Sequence, residues 1–163
     1  MSSEIPADLI ELSLNENGGK ALECNDAHYG SIHNLLKAGR GKDMGDGWET
    51  RRRREPGYDW VIIKLGLAGV VQLIEIDTAH FKGNFPHRIS INSAYLPQDC
   101  DENLAPRSLY WDELLPAQAL QMDKQHYFKS EITESGLITH LRINIHPDGG
   151  LSRVRFFGKT SES

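Results

Sequence analysis

A run of arginines stands out as a candidate anion-binding segment. Arg51–Arg54 follow Trp48 and Glu49 in the stretch DGWETRRRR. The planar guanidinium group binds a carboxylate through two parallel hydrogen bonds, so at least one of these arginines is a candidate ligand for an acidic substrate. Four neighbouring cations repel one another, and the nearby acids Asp46, Glu49 and Glu55 can balance them. The alternative is a solvated basic loop whose ion pairs contribute little to stability.

A second group of polar residues follows an apolar stretch. Asp77 ends that stretch, and the next residues include His80, Asn84, His87 and Arg88. Asp77 could orient His80 for proton transfer, since the ordinary pKa of histidine is about 6.5. Alternatively, Asp77, His80 and His87 could hold a divalent metal ion. The structural alternative is that Asp77 caps a turn and His80 packs at a sheet edge.

A third group lies near the end of the chain. Residues 140–146 read HLRINIH, so that polar and apolar side chains alternate, and Pro147-Asp148-Gly149-Gly150 forms a turn before the next such stretch. The polar stripe is either a solvated sheet face or a face toward a second copy of the domain. Asp148 in the turn is a weaker candidate for a substrate contact, because the glycines already have a structural reason to be there.

The same alternation recurs along the chain and predicts the elements that position these groups. Period-two patterns broken by Gly, Pro, Asn and Asp indicate antiparallel strands. We therefore predict an all-β antiparallel sandwich or jelly roll of about eight strands. The predicted strands include residues 60–65, 70–77, 89–95, 126–132, 140–146 and 152–157, of which the last two show the clearest alternation. Long irregular segments are expected at 39–57 and 97–117.

Size and composition favour one ordinary globular domain covering residues 1–163, with 1–14 as a lead-in segment. The net charge of −5 gives no general attraction to nucleic acid or to an anionic membrane, and the apolar stretches are too short to span a bilayer. We see no secretory signal and expect a cytoplasmic protein. A disulfide between Cys24 and Cys100 is conceivable, but two free thiols are the simpler interpretation.

Three segments together resemble the allantoicase family. They are GDGWETRRRR with GYDW at residues 45–60, KLG with EIDTAHFKGN at 64–84, and NIHPDGGLSR at 144–153. The resemblance extends over residues 18–158. It implies a galactose-binding, discoidin-like jelly roll that hydrolyses allantoate to ureidoglycolate and urea, a reaction of purine and allantoin catabolism (EC 3.5.3.4). Members usually carry two such repeats and this chain carries one, which implies a homo-oligomer or a separate repeat-like partner.

The resemblance selects candidate residues from the three groups. The candidate catalytic residues are Asp77, His80 and Glu49. The candidate substrate-binding residues are Trp48, Arg51, Arg52, Asn84, Arg88, Asn144, Asp148 and Arg153. The cofactor is left open, because a divalent metal is conceivable but the sequence does not require one. The runner-up hypothesis is a non-catalytic jelly-roll module that binds a small polar ligand such as a ureide or a sugar.

Overall fold

The computed structural model describes residues 5–98 and 101–160 of the chain, mainly as β-strands. The helical segments are α1 (Leu104–Ser108) and 3-10 turns at Asn15–Asn17, Ile32–Leu36 and Met44–Asp46. Within the described residues, no helix is long and apolar enough to cross a membrane. The strands are β1 (Ile10–Glu11), β2 (Lys20–Cys24), β3 (Tyr29–Gly30), β4 (Trp48–Glu49), β5 (Asp59–Asp77), β6 (Arg88–Ala94), β7 (Asp112–Ala119), β8 (Gln125–Phe128), β9 (Ile138–His146), β10 (Gly150–Leu151) and β11 (Arg153–Lys159).

Strand β5 runs through both layers of a β-sandwich. Its first half pairs with β2 and β9, and its second half pairs with β8 and β11, all antiparallel. The main strand order is β1-β11-β5-β9-β6-β7. Between the halves, a Cβ on Gly66 would lie 2.1 Å from the carbonyl oxygen of Asn17, so only glycine allows this close passage of two backbone segments.

The core lies between the two layers and is built from alternating apolar side chains. One layer supplies fully buried residues from β5, β6 and β9, and the other supplies them from β5 and β11. Burying one such side chain contributes about 1.5–3 kcal/mol relative to leaving it exposed. The principal members are Val61, Ile63, Ile89, Ile91, Ile143 and Ile145 in the first layer, and Ile74, Ile76, Val154 and Phe156 in the second.

The predicted fold class is confirmed, but the bounds of several strands differ from the prediction. Residues 60–65 and 70–77 belong to one continuous strand, because backbone pairing continues past Gly66. Part of the expected lead-in is structural, since Ile10 pairs with Gly158 and Leu12 is fully buried. The irregular segment 97–117 contains the first part of β7.

Cys24 is a free, partly buried thiol, and burial raises its pKa. Cys100 lies outside the described residues, as do Met1–Glu4.

Candidate functional site

A small sheet outside the main sandwich fixes the arginine run. Strand β4 pairs with β10 and β3, and Trp48 stands opposite Leu151. Trp48 is fully buried in the core, and its Nε1 donates to the carbonyl oxygen of Asp26 at 2.8 Å. Trp48, which the sequence predicted as a substrate contact, therefore lies in the core. Its position shows an anchoring role instead, because the indole ties the start of the arginine run to the core.

Three loops meet beside this small sheet and enclose a cavity of about 600 Å³, here called the Glu49 cavity. The loops are the arginine run, the segment between β5 and β6, and the turn between β9 and β10. Of the sequence-predicted candidates, Glu49, Arg52, Asn84 and Asp148 lie together in its wall. The complete lining is Glu49, Thr50, Arg52, Arg53, Gly83, Asn84, Phe85, His87, Pro147, Asp148 and Gly149.

The Glu49 carboxylate is held in a fixed orientation within this cavity. Asn84 Nδ2 donates to Glu49 Oε2 at 2.7 Å, and the carbonyl oxygen of Asn84 accepts from the backbone of Gly150 at 2.8 Å. Gly150 pairs with Glu49 across the small sheet and lies against Phe81, where a Cβ would approach the ring to 2.1 Å. Glu49 is half-buried, so it remains accessible to a bound molecule.

Carboxylates hold alternate residues of the arginine run. The backbone N–H of Arg51 donates to Asp26 Oδ2 at 2.6 Å, and the backbone N–H of Arg53 donates to Asp148 Oδ2 at 2.9 Å. The guanidinium group of Arg53 also donates to Asp59 Oδ1 at 2.8 Å. These contacts hold the backbone of the run in place, and they engage Asp148 and Arg53 before any ligand binds.

Arg52 differs from its held neighbours. Its side chain is exposed at the wall of the Glu49 cavity, and it forms no ion pair with any described residue. Arg51 is 73% exposed, lies 3.9 Å from Asp26 and lines a different cavity. Arg52 is therefore the cation in this wall that is available to an anionic ligand.

The predicted Asp77–His80 pair is not formed. Asp77 is fully buried, and its carboxylate accepts from Arg40 Nε and Nη2 at 2.9 and 3.0 Å and from the backbone of Ala79 at 2.9 Å. His80 Nε2 lies 2.7 Å from the carbonyl oxygen of Gly41. Both side chains lie outside the lining of the Glu49 cavity.

The metal alternative receives no geometric support. Asp77, His80 and His87 do not converge, and among the described residues no group of three or more His, Cys, Asp or Glu side chains is arranged to hold a metal ion. His87 instead belongs to the wall of the Glu49 cavity.

Two further candidates have structural positions away from the cavity. Arg153 is 2% exposed and donates to the backbone of Gly39 and to both the backbone and the carboxylate of Asp46. Arg88 is exposed at the start of β6 and is absent from the cavity lining. Burial, followed by the charge of Arg88, lowers the pKa of His146.

The polar stripe on β9 is not a free face. Arg142 is 3% exposed, with its guanidinium group bonded to Asn144, Ser108 and Tyr58. Asn144 is also buried and donates to Ser90 and Asn92. Asn144, which the sequence predicted as a substrate contact, and its neighbour Arg142 are therefore covered by the domain itself.

Asp59 is a buried polar residue of this region that the sequence did not single out. It is 1% exposed at the start of β5 and binds both Arg53 and Asn25. Its position in the GYDW segment, directly before an apolar strand, could have identified it as buried. A buried acid requires a partner.

The architecture and the cavity at the loop end define a galactose-binding-like β-sandwich. The family 32 carbohydrate-binding module of Clostridium perfringens, solved in complex with galactose, shares the fold with a TM-score of 0.62 at 11% identity, covering 91% of this chain and 98% of that one. At this identity, the likeness shows the fold alone.

Residues 10–161 match the allantoicase repeat, and the chain belongs to the allantoicase family. A probable allantoicase of Acinetobacter baumannii is 53% identical over 156 residues, which cover 96% of this chain and 46% of the relative. The crystal structure of allantoicase from Saccharomyces cerevisiae matches with a TM-score of 0.80 at 37% identity, covering 94% of this chain and 44% of that chain. The chain thus spans about half the length of the relatives that it matches.

Proposed function

We propose that this domain takes part in the hydrolysis of allantoate to ureidoglycolate and urea, and that the Glu49 cavity is where the reaction occurs. Family membership supports the reaction class. The observation that carries the assignment to this cavity is the pairing of two unlike groups in one wall. Arg52 is a cation without an ion-pair partner among the described residues, and Glu49 is an accessible carboxylate that Asn84 orients.

The substrate explains why both groups are needed. Allantoate carries one carboxylate and two ureido groups on a single carbon. Arg52 binds the carboxylate through its planar fork. Asn84 and Asp148 offer amide and carboxylate oxygens to ureido N–H groups, in keeping with their places in the cavity wall.

Glu49 transfers the proton that the reaction requires. The C–N bond to urea breaks and a C–O bond to water forms, so one proton of that water must finish on the urea nitrogen. The Glu49 carboxylate at hydrogen-bond distance can accept this proton from the water and then donate it to the leaving nitrogen, a role that contributes about a hundredfold to ten-thousandfold in rate. Asn84 positions Glu49 for this transfer by donating to Oε2.

The working assembly that we propose contains more than one repeat. The chain covers 46% of the length of the A. baumannii relative, and we propose that this domain works together with a further repeat. The buried stripe on β9 is excluded as the contact surface, and no nucleic acid or membrane partner is proposed. We place the assembly in the cytoplasm, where ureide breakdown would meet its substrate.

The deciding experiment incubates the purified chain with allantoate across a range of protein concentrations. Urea and ureidoglycolate are measured, and sedimentation at the same concentrations reports the assembly. Urea release that rises with self-association supports both the reaction and the assembly. Tight allantoate binding without urea release, in folded and associated protein, would instead identify a binding module.

A further inference from the structure

A second cavity of about 340 Å³ lies next to the arginine run and is here called the Asp59 cavity. It shares Arg52 and Arg53 with the Glu49 cavity, so the same two side chains contribute to both walls. Its lining is otherwise different, since it contains Asn25, Asp26, Arg51, Arg54, Glu55 and Asp59. None of the roles proposed above uses this cavity.

Asp59 in this wall has an uneven set of hydrogen bonds. Its Oδ1 accepts from Asn25 Nδ2 and from Arg53 Nη1, both at 2.8 Å. Its Oδ2 is buried and accepts from no described residue, and the buried Nε of Arg53 likewise donates to none. An unsatisfied buried polar group is unfavourable, and more so when it is charged. Two contacting side chains therefore retain one acceptor and one donor without partners.

The chemistry of this pair selects a class of ligand. A carboxylate could satisfy Arg53 but would be repelled by Asp59, and an ammonium group would meet the opposite difficulty. A ureido group carries a carbonyl acceptor and N–H donors in one plane, so it can satisfy both side chains at once.

We propose that the Asp59 cavity binds a ureido group, with Asp59 accepting its N–H and Arg53 donating to its carbonyl oxygen. This inference rests on the proposed function for the identity of the substrate. It assigns the ureido arm that is retained in the product to the Asp59 cavity and the arm that leaves as urea to the Glu49 cavity. Arg52, common to both walls, binds the carboxylate between them.

The backbone beneath Arg53 supports a fixed position for its guanidinium group. Gly57 has φ of +138°, and a Cβ at this residue would lie 2.5 Å from Arg53 Nη2 and 3.0 Å from Cζ. The guanidinium group thus packs directly on the glycine backbone while Asp59 holds its other side. A fixed donor favours binding because little side-chain freedom is lost when the ligand arrives.

The test is calorimetric titration with hydantoate, which has one carboxylate and one ureido group, and with glycolate, which lacks the ureido group. Asp59→Asn replaces an acceptor while keeping the shape of the side chain. We expect its hydantoate Kd to rise about tenfold to a hundredfold, with glycolate binding unchanged. Glu55→Gln is the matched control, since it removes an exposed carboxylate from the same wall, and it should bind hydantoate like wild type.

A measurement on the wild-type chain keeps the test independent of whether Asp59→Asn folds. Side-chain ¹H–¹⁵N resonances of Arg53 Nε and Asn25 Nδ2 should shift on titration with hydantoate. A shift with free urea as well would show that the cavity also accepts the product. If hydantoate binds while both resonances stay in place, or if Asp59→Asn and Glu55→Gln bind it equally, the ureido assignment is overturned.

These outcomes separate this inference from the proposed function. Hydantoate binding does not require turnover. If Asp59→Asn weakens hydantoate binding but the wild-type chain releases no urea from allantoate, the ureido site is supported and the proposed reaction is ruled out. The opposite outcome is urea release from allantoate together with hydantoate binding that Asp59→Asn does not weaken. It would support the proposed reaction and rule out the ureido site.

Discussion

Two charge-rich regions of this domain differ in how completely their charges are paired. The first, here called the charged face, lies on the second layer of the sandwich beneath residues 37–46, and its main members are Glu11, Glu75, Asp77, Arg153 and Arg155. The second is the arginine run with the Glu49 cavity. Both contain arginines and carboxylates in close proximity.

In the charged face, neighbouring groups pair one another. Arg40 engages Asp77, and Arg155 contacts both Glu11 and Glu75. Burial raises the pKa of Glu11, while the charge and hydrogen bond of Arg155 act in the opposite direction. Ion pairs that are buried in this way fix one arrangement of the chain and leave little charge for a ligand.

In the Glu49 cavity, the carboxylates hold the backbone and one cation stays without an ion pair among the described residues. Asp26 and Asp148 accept from backbone N–H groups, so Arg52 is not neutralised by them. The contrast suggests that a binding site in this fold is marked by a charge without an ion pair at a cavity wall. A high number of charged residues alone does not mark one.

The largest effect expected on the cavity side is that of Glu49→Gln. The amide keeps the shape of the side chain but cannot exchange the proton, so kcat for urea release should fall about a hundredfold to ten-thousandfold. KM should change much less. The measurement is steady-state urea release, with circular dichroism to confirm the fold. A variant that retains wild-type kcat would remove Glu49 from the mechanism and leave the two regions functionally alike.

Arg52→Lys should have the next largest effect. Lysine keeps the charge but loses the planar fork, so kcat/KM for allantoate should fall about tenfold to a hundredfold. Arg88→Lys is the matched control, because Arg88 is also exposed but lies outside both the Glu49 cavity and the Asp59 cavity. If Arg52 acted only through its charge, Arg52→Lys would retain wild-type kcat/KM, and equal losses in the two variants would show that the loss does not come from the cavity wall.

The sequence predicted the layers of the fold better than it predicted the site. Alternation identifies which strand faces are buried, so the sandwich follows from residues such as Ile143 and Ile145. Alternation cannot show which residue from a distant part of the chain contacts the side chain at a strand end. Arg40 is 37 positions from Asp77, so the sequence gives no sign of their contact. His80 is close to Asp77 in sequence, and for this reason it was the predicted partner.

The sequence motifs did locate part of the site. Glu49, Arg52, Asn84 and Asp148 come from segments far apart in the chain and meet in one cavity. The same motifs also contained Trp48 and Arg153, which the structure places in the core and in the charged face. A motif therefore indicates that residues matter without showing whether they bind a ligand or hold a loop.

Asp46→Asn should weaken the charged face by a moderate amount. Although burial alone would raise the pKa of Asp46, hydrogen bonds from Lys37 and Arg153 lower it from 3.8 to about 2. A lowered folded-state pKa stabilises the fold above about pH 4 and loses this contribution as the pH falls toward 2.

The expected loss for Asp46→Asn is at most about 2 kcal/mol in the free energy of unfolding at pH 6, shrinking toward zero near the lower pH. Urea denaturation across this range provides the measurement. Asp112→Asn, at an exposed carboxylate without an ion pair among the described residues, should leave the profile unchanged. A pH-independent difference between wild type and Asp46→Asn would argue against the ion pair as its cause.

The smallest effect on turnover is expected for His80→Ala, and it is the sharpest test of the comparison. The imidazole lies on the charged-face side, bonded to the backbone of Gly41, so kcat should stay within about twofold of wild type. Loss of this hydrogen bond should cost about 1 kcal/mol of stability.

His80 has φ of 75°, and glycine adopts positive φ without steric cost, so His80→Gly should be at least as stable as His80→Ala. Thermal unfolding and urea release measured on both variants separate the two roles. A hundredfold fall in kcat for both, with the fold intact, would return His80 to the mechanism and show that a side chain on the charged-face side can still serve catalysis.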